Sequence, residues 1–143
     1  MTDAMAETGA SAGYSGTPLA KKLSLKPGLT AWFHAMPASV RAEIGEVGLS
    51  ELASPAAGLD AAHIFVTERA EMERLPGTLR HTIAPTGFVW VSWPKKAAKV
   101  PTDITEDAIR AVCLPAGWVD VKVCAVDAVW SGLKLMIRKE LRG

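Results

Sequence analysis

The 143-residue sequence contains no asparagine and no glutamine. Side-chain amides are the usual readers of adenine edges, so their absence argues against sequence-specific recognition of nucleic acid. Genomic composition bias is the simplest origin of an alanine-rich chain without amides. Cysteine is almost as scarce. Cys113 and Cys124 stand alone without CxxC spacing, which excludes a four-thiolate metal site and makes two buried thiols the expected state in a reducing compartment. The three histidines, His34, His63 and His81, fall on separate predicted elements, so no metal centre is expected. No apolar run approaches the ~20 residues a membrane-spanning helix requires. The opening stretch from Met1 to Gly16 lacks the basic start and apolar run of a secretory signal. Charge is also close to balance: the formal net charge is +1, too small a field to draw the chain to nucleic acid or an acidic membrane. The expected address is cytoplasmic.

What is present fits one domain. A hydrophobic content of 49% with 22% charged residues is close to the globular average, and the length allows a single good core. Residues 1–16 are rich in Ala, Gly, Ser and Thr and read as a disordered tail. A short helix is expected near Pro18–Leu23, then a turn at Lys26-Pro27-Gly28 and a strand from Leu29 to Ala35. Pro37 suits the first turn of a helix carrying Val40, Ile44 and Val47. The Gly-, Ser- and Pro-containing stretch 48–60 reads as a connection.

Further on, Ala61 to Val66 is a short apolar run of the kind that forms a doubly buried strand. Thr67 is placed to cap a helix with Met72, Leu75 and Leu79 facing inward, kinked or split at Pro76-Gly77. Pro85-Thr86-Gly87 predicts a turn into the strand Phe88–Trp93. Thr105 or Thr102 caps the last helix, whose inner face carries Ile104, Ala108, Ile109, Val112 and Cys113. The period-two patterns of Trp118–Asp127, where Val119, Val121, Val123 and Ala125 alternate with Asp120, Lys122 and Cys124, and of Trp130–Arg138 predict an antiparallel pair with one face on the core.

Several of these segments are similar to class I S-adenosylmethionine-dependent methyltransferases. Ala84-Pro85-Thr86-Gly87-Phe88-Val89-Trp90-Val91 resembles the turn and strand near the end of their core. Glu106 to Ala116 followed by Gly117-Trp118-Val119-Asp120-Val121 resembles the next helix and strand, and Lys26-Pro27-Gly28 the lead-in to their first strand. More narrowly, residues 17–139 resemble a family of small bacterial proteins of unknown function with a reduced core of this kind. The marks are Thr17-Pro18-Leu19-Ala20, Trp93-Pro94-Lys95-Lys96, Thr102-Asp103-Ile104-Thr105, Val121-Lys122-Val123-Cys124-Ala125-Val126-Asp127 and Trp130-Ser131-Gly132-Leu133-Lys134. The resemblance implies a reduced Rossmann-like three-layer α/β sandwich over residues 17–143. It has about five strands, parallel apart from one near the carboxyl-terminal edge.

The ligand-holding devices of the methyltransferases are not matched. Residues 34–44, where a glycine-rich loop should follow the first strand, contain no glycine. The acids near the expected second strand, Glu51 and Asp60, do not end an obvious strand. The leading expectation is therefore a non-catalytic interaction or regulatory domain, without cofactor, that pairs with a protein partner or a second copy. The alternative is a protein, or a methyltransferase-related enzyme, that takes a nucleotide-like or anionic small molecule at the carboxyl edge of the sheet. Candidate residues there are His34, Ser92, Trp93, Lys95, Lys96, Asp103, Asp127 and Trp130. His34, Ser92 and Asp127 have the residue types of a hydrolase triad, but no G-x-S-x-G elbow presents the serine. Lys95, Lys96 and Lys99 read as a solvated loop. Trp130 is expected to pack back on the sheet from a turn eased by Gly132; the alternative is an exposed aromatic patch with Trp93.

Overall fold

The computed structural model describes residues 17–142; the tail expected at 1–16 lies outside them. One six-stranded sheet organises this span. In chain order its strands are β1 (Thr30–His34), β2 (Ser50–Leu52), β3 (Leu59–Phe65), β4 (Ile83–Pro94), β5 (Trp118–Ala125) and β6 (Trp130–Ile137). The spatial order is β2-β1-β3-β4-β6-β5. β2, β1, β3 and β4 pair in parallel, and β6 runs antiparallel to both β4 and β5. Only β6 is reversed, as the sequence predicts. The additional strand is β2, three residues within the stretch read as a connection. A run that short, between Gly48 and Ser54-Pro55, carries no period-two signal.

Alternation along the strands sends side chains to two separate cores. Helices α3 (Arg69–Arg80) and α4 (Glu106–Cys113) cover one face, over Trp32, Ala62, Ile64, Val89, Val91, Trp93, Leu133 and Leu135. Helices α1 (Leu19–Lys22) and α2 (Ala38–Ile44) cover the other, over Ala31, Ala61, Phe65, Phe88 and Trp90. The Trp90 indole N–H donates to the Leu23 carbonyl at 3.0 Å, fixing the end of α1 on the sheet.

Local readings differ from the structure at four places. α3 continues through Pro76 as one 12-residue helix, because Met72, Leu75 and Leu79 stay buried on both sides of the proline. Thr67 does not cap it. The Asp103 carboxylate, 34 residues away, accepts from the Arg69 amide at 2.6 Å, and Thr102 Oγ1 donates to the Thr67 carbonyl at 2.6 Å. β4 begins at Ile83 and runs through Pro85-Thr86-Gly87, with an irregular register between Leu59 and Ala61 of β3. Gly87 is required there: a Cβ would stand 2.7 Å from the Asp60 carbonyl oxygen. Finally, Val119, Val121 and Val123 are 36–48% exposed. β5 is the outermost strand, and its register slips between Asp120 and Lys122, so the alternation does not carry these valines onto the core. Thr105 caps α4 as expected, accepting from the Ala108 amide at 3.1 Å.

Candidate functional site

The strand order places one reversal near the middle of the sheet. β1 leads through α2 to β2 on one side, whereas β3, the other neighbour of β1, leads through α3 to β4 on the opposite side. The two crossovers lie on opposite faces. A crevice opens at the carboxyl ends of such a strand pair, and ligands of open α/β sheets bind there.

His34 closes β1 at this point. Its Nε2 lies 2.8 Å from Glu71 Oε2, on the first turn of α3, with 26% and 31% of the two side chains exposed. With the carboxylate on Nε2, the favoured neutral tautomer carries its proton there and leaves Nδ1 as an acceptor. The Trp32 ring, two residues earlier on the same strand face, stands 5.8 Å from the imidazole. The pair is half-exposed, polar and held by two rigid elements. Nothing in the sequence marked Glu71 as the partner of His34, since 37 residues separate them.

The turn after β1 has its own backbone signature. Ala35 adopts φ 55°, in the left-handed region that favours glycine. The conformation of a glycine turn is thus kept while the Cβ is present, and Met36 and Pro37 follow it. Glu51, on β2, is also committed: Arg41 Nη1 and Nη2 donate to its two carboxylate oxygens at 2.8 Å each. That fork holds the Glu51 carboxyl below the usual carboxylate range and raises the Arg41 guanidinium. The same two residues, with Phe33, Met36, Ile44 and Val47, line a cleft of about 390 Å3 beside α2. This cleft flanks β1 and β2 on the outer side of the sheet, and no residue of β3 or β4 lines it.

The other sequence candidates are dispersed. Ser92 is fully buried, and its Oγ lies 2.6 Å from Nε2 of His63, itself buried and stacked on Phe65 at 4.2 Å. Burial pushes the His63 imidazole down to about 3. Ser92 therefore pairs with the core histidine and not with His34. Asp127 Oδ1 accepts from the Val129 and Trp130 amides at 2.8 Å each, so its carboxylate organises the β5–β6 turn. The three residue types of the hydrolase triad have three separate partners. Asp103 caps α3, as described.

Trp93 is buried under α3 and α4, whereas Trp130 packs on the opposite face, edge-on to Phe65 at 5.2 Å. Trp130 thus packs back on the sheet, and the alternative of a patch shared with Trp93 does not form, because adjacent strands present the two indoles to different cores. Lys95 and Lys96 lie in the loop after β4, where a short 3-10 turn spans Lys96–Ala98. No group of three or more His, Cys, Asp or Glu side chains suited to a metal ion is found among the described residues. In the same residues no helix is long and apolar enough to cross a membrane.

Solved structures share this architecture. A putative type 11 methyltransferase from Sulfolobus solfataricus superposes with a TM-score of 0.61 at 10% identity, over 85% of this chain and 90% of that one. A SAM-dependent methyltransferase from Aquifex aeolicus gives 0.60 at 16% identity, over 82% and 86%. Aeropyrum pernix fibrillarin, solved with natively bound S-adenosyl-L-methionine, gives 0.58 at 9% identity, over 87% and 71%. No family model and no curated sequence matches the chain. The expectation of a non-catalytic interaction domain is overturned by these neighbours, a SAM-dependent methyltransferase, a putative methyltransferase and a protein holding S-adenosyl-L-methionine, which favour the ligand-binding, methyltransferase-related alternative. Missing glycines do not remove the crevice, because it is made by strand order. At these identities the similarity is one of fold: this chain has a Rossmann-like core of the class I SAM-dependent methyltransferase type.

Proposed function

We propose that this chain is a methyltransferase-related protein that binds a nucleotide-like small molecule at the carboxyl edge of its sheet, above the β1–β3 crevice. One observation carries the reading: the strand order reverses between β1 and β3, and the half-exposed His34–Glu71 pair stands at that point. An imidazole with a free Nδ1 beside a carboxylate suits the hydroxyl, amine or ring nitrogen groups of a nucleoside.

The residues do not fit S-adenosylmethionine held in the manner of a glycine-rich cradle. Ala35, Met36 and Pro37 form the turn after β1, and Glu51 is engaged by Arg41 instead of being free for ribose hydroxyls. No methyl-transfer step is derived. In this reading the protein works in a reducing cytoplasm, where free Cys113 and Cys124 remain thiols.

The test is a thermal-shift panel of S-adenosylmethionine, S-adenosylhomocysteine, adenosine, AMP, ATP and phosphate, followed by titration of any ligand that stabilises the protein. A ligand at about a hundredfold excess over its Kd adds roughly 2.7 kcal/mol. His34→Ala and Glu71→Gln should each weaken binding by about tenfold, the cost of one polar contact at ~1.4 kcal/mol. A panel without any shift, or a shift indifferent to both variants, overturns the proposal.

A further inference from the structure

A second surface, remote from the crevice, carries an unbalanced charge. On the face covered by α1, Lys122 of β5 and Lys134 of β6 are direct register partners. Cross-strand partners have Cβ atoms only about 5 Å apart, and like charges in that relation are destabilising. Lys134 reaches inward: its Nζ donates to Ser24 Oγ at 2.9 Å and stands 4.7 Å from the Phe88 ring centre. Lys22, at the end of α1, donates to the Ala125 carbonyl at the end of β5 at 3.0 Å. Lys26 follows in the α1–β1 turn and is exposed.

None of these four lysines is ion-paired with a carboxylate among the described residues. The acid nearest in sequence, Asp120, is taken by Arg110 of α4, at 3.0 Å from its Nε. Burial, and after it the charges of Lys122 and Lys26, lower the Lys134 ammonium below its ordinary value. Lys22 and Lys122 act in the same sense on the half-buried Cys124 thiol, against the larger effect of burial, which raises it. The four ammonium groups thus share one neighbourhood and form no ion pair there among the described residues, although Glu46 lines a groove with Lys26 and Ser24.

We propose that Lys22, Lys26, Lys122 and Lys134 form a docking surface for the phosphate backbone of a nucleic acid, engaged by charge and without base readout. The lysines come from separate segments, α1 and the turn after it, β5 and β6, which suits a polyanion able to place one phosphate on each. Valines border the patch, and none of the exposed large apolar side chains among the described residues is aromatic. Without such a side chain to enter a bilayer, anionic lipid is the poorer match. The same lack of aromatics removes base stacking and makes binding weak, sequence-independent and salt-sensitive. The overall charge of +1 supplies no long-range attraction, so binding rests on contact with this patch alone.

The proposal is independent of the crevice ligand. Its test is fluorescence anisotropy of the full chain with a labelled oligouridylate of ~20 nucleotides at about 50 mM salt, repeated at rising salt. Four contacts predict a log–log salt slope near −2.8, at roughly −0.7 per phosphate on a single strand. The double variant Lys26→Glu/Lys122→Glu changes two exposed residues. It should bind at least about tenfold more weakly and lose about 1.4 from the slope. The control Lys95→Glu/Lys96→Glu alters charge by the same amount in the loop after β4 and should weaken binding by less than about threefold.

Both variants should melt like the parent by circular dichroism. Absence of binding at about 100 μM protein, near the upper end of non-specific dissociation constants, overturns the proposal. So does equal loss in the control, which would reduce the effect to overall charge. Competition by inorganic pyrophosphate at micromolar concentration would assign the lysines to a small anion, and preferential binding to phosphatidylserine vesicles would assign them to lipid. Either result also overturns it.

Discussion

His63 and Ser92 are the only buried polar or charged side chains that stand in the core among the described residues, and they satisfy one another at 2.6 Å. A buried neutral imidazole ties stability to pH. In the folded chain it titrates near 3, against 6.5 in the unfolded chain. The unfolded state therefore binds an extra proton between those values. Stability is complete above 6.5 and falls as the pH drops toward 3, by up to about 1.4 kcal/mol per unit. The depressed carboxyls of Glu51 and Asp120 act in the same direction, but only as the pH falls through their ordinary values of 4.5 and 3.8. Urea midpoints measured from pH 7 to pH 5 thus isolate the histidine. We expect a decline in the parent and a flat profile in His63→Gln. A flat parent profile would mean that the imidazole accepts its proton without unfolding.

At the scale of elements, α3 depends on a residue outside itself. Its first free amide is capped by Asp103 and its preceding carbonyl is bound by Thr102, so the loop after β4 is tied to the start of the helix. Asp103→Ala should cost about 0.5–2 kcal/mol, the usual range for a lost helix cap, measured by chemical denaturation. Loss within error would show that solvent caps α3 as well as the carboxylate does. The same elements show which signals are local enough to be read from sequence. The Ala61–Val66 run and the inner face of α4 were legible because a buried strand and an amphipathic helix each leave their period in consecutive residues. The Thr105 cap was legible because it acts over three residues. The Asp103 cap and the His34–Glu71 pair were not, since 34 and 37 residues lie between the partners. β2 was missed because three residues cannot display a period. The valines of β5 were misread because a register slip breaks the alternation that assigns faces.

At the scale of the molecule, the sheet is asymmetric. Its centre, β3 and β4, is covered on both faces, while β2 is a three-residue edge and α1 is a four-residue helix. Free energies of local opening should follow that gradient. In hydrogen exchange, the amides of β3 and β4 should exchange only through global unfolding, and those of β2 and α1 orders of magnitude faster. Comparable protection in β2 would mean that the edge is stabilised by something beyond the pairing with β1. The candidate crevice lies between these regimes: β1 has β3 on one side and the short β2 on the other. Strand order positions the ligand site, whereas cover decides how readily its outer wall can move.

The placement of the indoles has an optical consequence. Trp32, Trp93 and Trp118 belong to the core under α3 and α4, whereas Trp90 belongs to the core under α1 and α2, and all four are buried. Emission from the folded protein should be blue-shifted, and each face carries its own reporter. A chain retaining only Trp90 and one retaining only Trp118 would reveal whether the two layers melt at the same temperature, the coincidence that a two-state transition demands.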